Sequence, residues 1–353
     1  MVCPTRCVPV EEKGLRGKRG NLRRLPIAAQ AASLPHVAAS LLPSHMDAGG
    51  VRYEFYSRGG ETGGVRTFYH KDGDAVSSRS LLLVDADPAV HELLRGVLKR
   101  EDRKIEDAYD GHEALDRIRQ ATCDLVLAGP GRNGFDPLTL LRSVHEIRPD
   151  LKVILTGDER GPELAVSAIR ERAYSYFHKP LPPAPLADMV QQALDSTSWE
   201  DDIRVISARP EWIMLEVRCK IAAAERITQF VREAEADLPP VVYDDVVAAF
   251  RELLLNAVEH GGNSDPRKSA QVSIVRSSRA LIVQIQDPGQ GFSMDSLPHA
   301  AVSNPKEQPI KHVEVRAEKG QRPGGFGILM TRNLVDELIY NERGNAVLFV
   351  KYL

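Results

Sequence analysis

Residues 80–197 alternate between short apolar runs and amphipathic segments. The run LLLVD, which begins at Leu81, is continuous in the way expected of a strand buried on both faces. Further strands are expected at 124–128, 151–155 and 174–177, and helices near 112–120, 137–147, 162–171 and 183–195. Strand–helix alternation over this length predicts a flavodoxin-like α/β domain at 79–197, with a parallel five-stranded sheet.

The second half of the chain has a different pattern. Two helical segments at 220–235 and 241–260 precede two strands at 271–276 and 280–286; a long polar loop, a helix at 326–336 and a strand pair at 337–341 and 346–351 follow. Segregated helices and strands predict an α/β sandwich with a mostly antiparallel sheet. We place this domain at 212–353 and interpret 198–211 as a polar linker.

Residues 1–78 differ in composition from both domains. A basic start precedes an apolar stretch that is too interrupted for a signal peptide, so a disordered tail, or translation starting at Met46, is favoured. Residues 47–78 are rich in Gly and Ser around two aromatic clusters, Tyr53–Tyr56 and Phe68–Tyr69. The whole extension is therefore interpreted as disordered or linker-like, with room for a short hairpin.

Composition restricts the function classes. The chain has 353 residues, of which 42% are apolar and 27% charged, and a formal net charge of −3. This balance is typical of a soluble globular protein and favours neither nucleic acid nor a membrane as partner. Four scattered cysteines fit a reducing compartment, so a cytoplasmic location is expected. Cys3 and Cys7 have no second pair nearby, which disfavours a zinc site.

Polar residues follow several strands of the first domain. Asp85 ends the strand that begins at Leu81, Thr156 follows the strand at 151–155, Tyr176 lies in the strand at 174–177, and Lys179-Pro180 comes shortly after that strand. In these positions the segment resembles the receiver domain of response regulators. The resemblance implies carboxylates that bind Mg²⁺, an Asp that takes a phosphoryl group, and a Lys and a hydroxyl that hold the phosphate.

This receiver-like site is incomplete. Asp85 has Ala86 where the family has a second acidic residue, and Asp87 comes one residue later. Gly129 stands where the resemblance places the phosphoacceptor Asp, while Asp124 lies too early and Asp136 too late. The sequence therefore predicts a receiver fold that accepts no phosphoryl group and serves as a docking or dimerising module.

The second domain contains a helical box, FRELLLNAVEHGGN, at 250–263. Glu252, Asn256 and His260 recur at four-residue steps and so share one helix face, while leucines occupy the face that suits a core. An amide amid so many apolar residues favours a functional role over a solvated stripe.

Two glycine-rich boxes follow in a fixed order. The first is DPGQGF at 287–292, in which Asp287 follows a strand and precedes Gly289 and Gly291. The second is GGFGI at 324–328, which opens a helix and contributes three glycines, Gly324, Gly325 and Gly327. Glycines at a helix N-terminus allow backbone N–H groups to face phosphates. The basic loop 293–323 between the boxes is long enough for a lid.

Together the three boxes resemble the GHKL (Bergerat) ATP-binding domain, in particular the anti-sigma-factor serine/threonine kinases. The resemblance implies ATP and Mg²⁺ as cofactors, with Asn256 as the metal ligand and Glu252 as the general base. It also implies that Asp287 accepts the adenine amino group. Two roles stay open for His260, a phosphate contact or a helix cap. A histidine kinase is disfavoured, because 198–211 leaves no room for a phosphoacceptor hairpin.

Three functions follow from these patterns. The first is a kinase that phosphorylates a small antagonist protein and thereby controls its own binding to a sigma factor. The second is an ATP-dependent binding protein without kinase activity. The third is a scaffold with a vestigial ATP site, which three intact boxes disfavour. The expected partners are a sigma factor, its antagonist, or both, and a homodimer stays open.

Overall fold

A computed structural model describes residues 45–48, 51–58, 61–69, 78–158, 161–292 and 327–353 of the chain. The chain divides into two compact units, Met1–Asp74 and Ala75–Leu353. Among the residues described, no helix has the length and apolar character needed to cross a membrane.

The first unit contains a three-stranded antiparallel sheet. Its strands, in spatial order, are β1 (His45–Ala48), β2 (Val51–Arg58) and β3 (Glu61–Tyr69). This is more structure than the linker-like segment that composition predicts. The sequence VRYEFYSR alternates apolar and charged letters with the period of a strand, a signal that the surrounding Gly and Ser residues obscure.

The second unit begins with a five-stranded parallel sheet in the order β5–β4–β6–β7–β8. The strands are β4 (Arg79–Val84), β5 (Arg103–Ala108), β6 (Leu125–Ala128), β7 (Lys152–Gly157) and β8 (Ser175–His178). The helices are α1 (Pro88–Leu98), α2 (Gly111–Gln120), α3 (Pro137–Ile147), α4 (Pro162–Arg170) and α5 (Pro183–Asp195). The predicted flavodoxin-like architecture is confirmed.

Strand β5 is the receiver strand that has no apolar run in the sequence. It reads RKIEDA, and only Ala108 at its end is fully buried. Because β5 is an edge strand, it pairs with β4 alone and leaves its charged side chains near solvent. Edge strands commonly carry charges, since charge discourages pairing with other chains.

A second sheet follows, with six antiparallel strands in the order β13–β14–β12–β11–β10–β9. The strands are β9 (Ile203–Arg209), β10 (Trp212–Arg218), β11 (Ser269–Arg276), β12 (Ala280–Gln286), β13 (Glu337–Tyr340) and β14 (Ala346–Tyr352). Three helices, α6 (Ile221–Ala234), α7 (Pro240–Asn256) and α8 (Gly327–Leu334), pack on one face of this sheet. The predicted α/β sandwich is confirmed.

Strand β9 corrects the predicted linker at 198–211. Residues Ile203–Arg209 pair antiparallel with β10, so the second sheet begins nine residues before 212. Arg204 and Arg209 are exposed on this edge strand, and their charge gives the segment the polar composition of a connection. The peptide between α5 and β9 is correspondingly short.

Helix α6 joins the two domains by covering the free edge of the receiver sheet. Three of its side chains, spaced at helical intervals, bind backbone groups along β8. Arg226 Nε donates to the carbonyl of Tyr174 at 3.0 Å, and Gln229 Nε2 donates to that of Tyr176 at 3.1 Å. Glu233 Oε2 accepts from the His178 backbone N–H at 3.2 Å and contacts His178 Nδ1 at 2.5 Å. An edge that would otherwise bond to water is thereby completed.

Arg226 is the most deeply buried cation of this junction, with a side chain that is 4% exposed. Its guanidinium lies over the rings of Tyr174, at 4.3 Å, and Trp199, at 5.1 Å. Burial lowers the pKa of Arg226 to about 10, so it remains charged at neutral pH. One apolar core continues from α4 into the second sheet, and the two domains form a single packed body.

Candidate nucleotide-binding site

A cavity of about 900 Å³ opens between α7, the loop after β12, the start of α8 and the β13–β14 hairpin. It brings together most of the predicted site residues: Glu252, Asn256, His260, Asp287, Gly289, Gly291 and Gly327. Gly324, Gly325 and the loop 293–323 lie outside the described residues. A concave site of this size fits a nucleotide.

Helix α7 supplies the polar floor of the cavity. Asn256 Nδ2 donates to Glu252 Oε1 at 3.3 Å, as the four-residue spacing predicts. The donated N–H leaves the Asn256 carbonyl oxygen as the atom available to a metal, and a hard oxygen ligand suits Mg²⁺. The helix then widens into a π-turn at Ala257–Gly261, which changes the phase before His260. His260 still lines the cavity, at its exposed rim.

The start of α8 lies directly against Glu252. A Cβ at Gly327 would lie 1.7 Å from Glu252 Oε1, so only glycine lets this backbone approach the carboxylate. The described part of α8 therefore begins in contact with the carboxylate at the floor of the cavity.

Asp287 also lines the cavity, between backbone segments that approach it closely. Its Oδ1 accepts from the Gly289 backbone N–H at 2.7 Å, and its own N–H donates to the Asn345 carbonyl at 2.9 Å. A Cβ at Gly261 would lie 2.3 Å from the Asp287 carboxyl carbon. Burial raises the pKa of Asp287, while the Gly289 hydrogen bond lowers it. The result is a fixed, partly desolvated acceptor.

The β13–β14 hairpin supports the loop after Asp287 in a way that the sequence pattern does not predict. Gly291 and Gly344 both have positive φ, +81° and +74°. A Cβ at Gly291 would lie 1.9 Å from the Arg343 carbonyl oxygen, and one at Gly344 would lie 1.9 Å from that of Phe292. The two turns thus pack backbone against backbone, and Arg343 donates to the Gly289 carbonyl at 3.3 Å. The turn letters RGN at 343–345 are the only sequence signal of this support.

Tyr340 is a further cavity residue that the sequence boxes do not contain. Its ring packs edge-on against Phe292, with centroids 5.3 Å apart. Burial and the charge of Glu252 raise the pKa of Tyr340 to about 12, so the phenol stays protonated. It offers an aromatic wall and a hydroxyl to whatever fills the cavity.

The receiver-like site has the predicted neighbours in a closed arrangement. Lys179 Nζ lies 2.8 Å from Asp85 Oδ2, and Asp85 is 2% exposed. A Cβ at Gly129 would lie 2.1 Å from Asp85 Oδ2 and 2.8 Å from Thr156 Oγ1. The four positions therefore meet as predicted, and the volume of an acceptor side chain at 129 is taken by Asp85.

The other acidic residues near this site have structural roles. Asp87 caps α1 by accepting from the Ala89 N–H at 2.9 Å. Asp136 caps α3 by accepting from two backbone N–H groups, and Asp124 accepts from the Ser80 N–H at 2.7 Å. Asp87 is thus committed to a helix cap, where it satisfies otherwise unpaired N–H groups.

Comparison with known protein families identifies both domains. Residues 81–191 match the family model described as response regulator receiver domain. Residues 217–351 match the one described as histidine kinase-like ATPase domain. The chain joins a receiver domain to a histidine kinase-like ATPase domain. The sequence resemblance of this receiver–ATPase chain to a receiver fused to a GHKL-type domain is thereby confirmed.

Curated relatives match about a third of the receiver–ATPase chain. The C4-dicarboxylate transport transcriptional regulatory protein DctD of Pseudomonas aeruginosa is 34% identical over 119 residues, which are 33% of this chain and 25% of the relative. The transcriptional regulatory protein ZraR of Salmonella typhimurium is 28% identical over 117 residues, which are 33% and 26%. The chain spans about a quarter of the length of these relatives.

Solved structures that resemble the chain are receiver domains. The receiver domain of NtrX from Brucella abortus is 30% identical and covers 33% of this chain and 99% of its own, with a TM-score of 0.31. A CheY-like receiver domain protein from Methanospirillum hungatei is 27% identical and covers 34% and 95%, with a TM-score of 0.32.

Proposed function

We propose that the protein is an ATP-dependent serine/threonine kinase of the anti-sigma-factor type, acting in the cytoplasm on a small antagonist protein. The observation that carries this proposal is the Glu252–Asn256 hydrogen bond of 3.3 Å at the floor of the cavity. A kinase needs a base for the attacking hydroxyl beside a ligand for the metal on the phosphates. Nothing in an ATP-binding module without catalysis requires a carboxylate at that place.

The roles follow from where each residue lies. Asp287 accepts the exocyclic amino group of adenine, and Asn256 holds the Mg²⁺ that neutralises phosphate charge when bound. The acceptor hydroxyl gives its proton to Glu252 as its oxygen bonds to the γ-phosphorus, and the bond from that phosphorus to ADP breaks. Tyr340 forms one wall of the site.

The receiver domain acts in this proposal as a docking module without phosphotransfer. Support comes from Gly129, which cannot accept a phosphoryl group. It also comes from the hydrogen bonds between α6 and β8, which fix the receiver to the ATPase domain. The signal it conveys is then the binding of a partner. The sigma factor and its antagonist are the proposed partners.

A second candidate is an ATP-dependent binding protein without kinase activity. The receiver site favours it, because this chain has kept a fold there while its chemistry was lost. The two candidates differ in one measurable quantity, the transfer of phosphate from ATP to the captured antagonist.

The decisive experiment uses the full chain with radiolabelled ATP and an antagonist captured from the source cell with and without ATP. Glu252→Gln is expected to lower phosphoryl transfer by about 10²- to 10⁴-fold, because the amide cannot take the proton. ATP affinity should stay within about threefold, since Asn256 and Asp287 are unchanged. Glu211→Gln, an exposed residue in the β9–β10 turn, is the matched control. Binding of ATP and antagonist by the wild type without any transfer would establish the second candidate.

A further inference from the structure

The turn between β13 and β14, residues 341–345, forms part of the wall of the nucleotide cavity. It contributes Gly344 and Asn345 to the lining. Asn345 is only 5% exposed, whereas Asn341, at the start of the turn, is exposed. Neither amide takes part in the proposed phosphoryl transfer, but both are joined by hydrogen bonds to the residue that is proposed to accept adenine.

Asn345 holds the peptide of Asp287 on both sides. Its backbone carbonyl accepts from the Asp287 N–H at 2.9 Å, and its side-chain Nδ2 donates to the Asp287 carbonyl at 3.3 Å. The position of Asp287 therefore depends on the direction in which the Asn345 amide points. An amide turned the other way round would place its oxygen, an acceptor, against the Asp287 carbonyl, which is another acceptor.

Asn341 fixes the direction of the Asn345 amide. Asn341 Nδ2 donates to Asn345 Oδ1 at 2.9 Å, so the oxygen of Asn345 faces Asn341 and its NH₂ group faces Asp287. Asn341 Oδ1 accepts from the backbone N–H groups of Asn345, at 3.0 Å, and Ala346, at 3.1 Å. Both ends of the Asn341 amide are thus engaged within the turn, and its donor end sets the orientation of Asn345.

Arg343 of the same turn holds the loop that follows Asp287. Its Nη2 donates to the Gly289 carbonyl and its Nε to the Gln290 carbonyl, both at 3.3 Å. Gly289 in turn donates its backbone N–H to Asp287 Oδ1 at 2.7 Å. The turn therefore restrains both the peptide of Asp287 and the backbone group that its carboxylate binds.

We propose that Asn341 and Asn345 are positioning residues that set the preference of the site for adenine over purines with an oxygen in place of the amino group. This inference rests on the proposed role of Asp287 as the acceptor of that amino group. A purine with an oxygen there sets acceptor against acceptor. The site rejects it only as long as the carboxylate cannot move away, and the hydrogen bonds from Asn341 through Asn345 supply that restraint.

Calorimetry on the full chain with Mg·ATP and with the Mg complex of inosine triphosphate tests the proposal, because inosine carries a carbonyl oxygen in place of the adenine amino group. The wild type is expected to bind ATP about tenfold to a hundredfold more tightly. Asn341→Asp keeps an oxygen for the two backbone N–H groups but replaces the donor by a second oxygen, so the Asn345 amide turns round. The ratio of the two affinities should fall by about tenfold. Both nucleotides carry the same triphosphate, so the added charge cancels in this ratio.

Two further variants separate positioning from folding. Asn345→Ala removes the donor to Asp287 and should lower the ratio by a similar factor. Adding Asn341→Asp to it should change the ratio by less than about twofold, because the effect of Asn341 passes through the amide that is no longer present. Glu342→Gln, at an exposed position of the same turn, is the matched control and should leave the ratio within about twofold of the wild type. Affinity for inosine triphosphate within about threefold of the wild type shows that a variant is folded.

An unchanged ratio in Asn341→Asp or in Asn345→Ala, beside a wild type that prefers ATP, would overturn the inference. So would an equal effect of Asn341→Asp with and without the Asn345 amide, since the two residues would then act independently. A wild type that binds both nucleotides equally would remove Asp287 as the adenine acceptor, and the inference with it. The kinase proposal depends on phosphoryl transfer by Glu252, which these affinities do not measure, so the two can fail separately.

Discussion

The receiver site and the ATPase site both contain carboxylates, but the surroundings of these carboxylates differ. In the receiver site Asp85 is neutralised by Lys179 at 2.8 Å, and no space is left around it. In the ATPase site Glu252 and Asp287 line a cavity of about 900 Å³, and no salt bridge joins either carboxylate to a cation within residues 78–158, 161–292 and 327–353. A carboxylate that already has its cation is a structural group, whereas one left without a cation can bind or react.

A glycine has a different effect in each of the two sites. Both Gly129 and Gly327 lie against a carboxylate, with hypothetical Cβ distances of 2.1 Å to Asp85 and 1.7 Å to Glu252. At 129 the side chain that is absent is the phosphoacceptor itself. At 327 the missing side chain lets a helix start approach the site. The same local geometry therefore occurs both in a site without its phosphoacceptor and in a site that is open to a ligand, and the neighbouring charges distinguish the two.

The largest effect on stability is expected at the junction of the receiver domain and the ATPase domain. Arg226→Met should lower the free energy of unfolding by about 3 kcal/mol, because it leaves the carbonyls of Tyr174 and Trp199 without their buried donor. Chemical unfolding followed by tryptophan fluorescence and by circular dichroism should show one shared transition. Arg251→Met, which removes an exposed ion pair with Glu225, should cost less than about 1 kcal/mol. Two separate transitions in the wild type would show that the domains are independent.

The next effect concerns the closed receiver site. Gly129→Ala should lower the free energy of unfolding by about 1–3 kcal/mol, because the new methyl group displaces Asp85 from Lys179. Gly96→Ala is the matched control on α1, where a Cβ meets nothing within 4 Å, and it should stabilise by up to about 1 kcal/mol.

Gly129→Asp extends the same test to chemistry. Intact mass after treatment with a small-molecule phosphodonor should show no added phosphate on this variant or on the wild type. A stable adduct on the variant would mean that the site can open and that only the acceptor was lost.

A smaller effect is expected from the metal ligand of the open site. Asn256→Ala should weaken Mg·ATP binding by about tenfold, which is about 1.4 kcal/mol, in calorimetry on the full chain. Asn333→Ala, an exposed amide on α8, should leave the affinity unchanged. Equal affinities for wild type and Asn256→Ala would remove Asn256 from the site.

The smallest effect is a pH dependence of the open site. Burial raises the pKa of Asp287 above its usual 3.8, so its carboxylate is lost at a higher pH than that of an ordinary Asp. Only the ionised form accepts an adenine N–H on both oxygens, so ATP affinity should fall as the pH is lowered through this raised pKa. Asp287→Asn cannot titrate and should show a flatter profile. Parallel profiles for the two proteins would contradict the assignment.

Sequence was sufficient for the parts of the molecule that depend on local pattern. The spacing of Glu252 and Asn256 predicted that both lie on one helix face, and Asp287 of the second box lines the same cavity. Gly129 showed the loss of the receiver acceptor without any coordinates. Each of these signals lies within a few residues of the group whose role it predicts.

Sequence was insufficient where a polar residue is satisfied by a distant part of the chain. Arg226, Gln229 and Glu233 have the pattern of a solvated helix stripe, but they lie buried against β8. Strands β5 and β9 carry the charges of sheet edges and therefore resembled connections. Hydrophobic periodicity records which face of an element is apolar, but not which distant backbone its polar groups will meet.

The cover that α6 provides for β8 has a consequence for how the chain is made. The receiver is synthesised first, and its last strand emerges from the ribosome with one side unpaired. That side stays accessible to water, and to any other extended chain, until the chain has been synthesised as far as residue 233. Residues of the ATPase domain therefore complete the edge of the receiver sheet, and a cut anywhere between 197 and 221 would separate β8 from the helix that covers it.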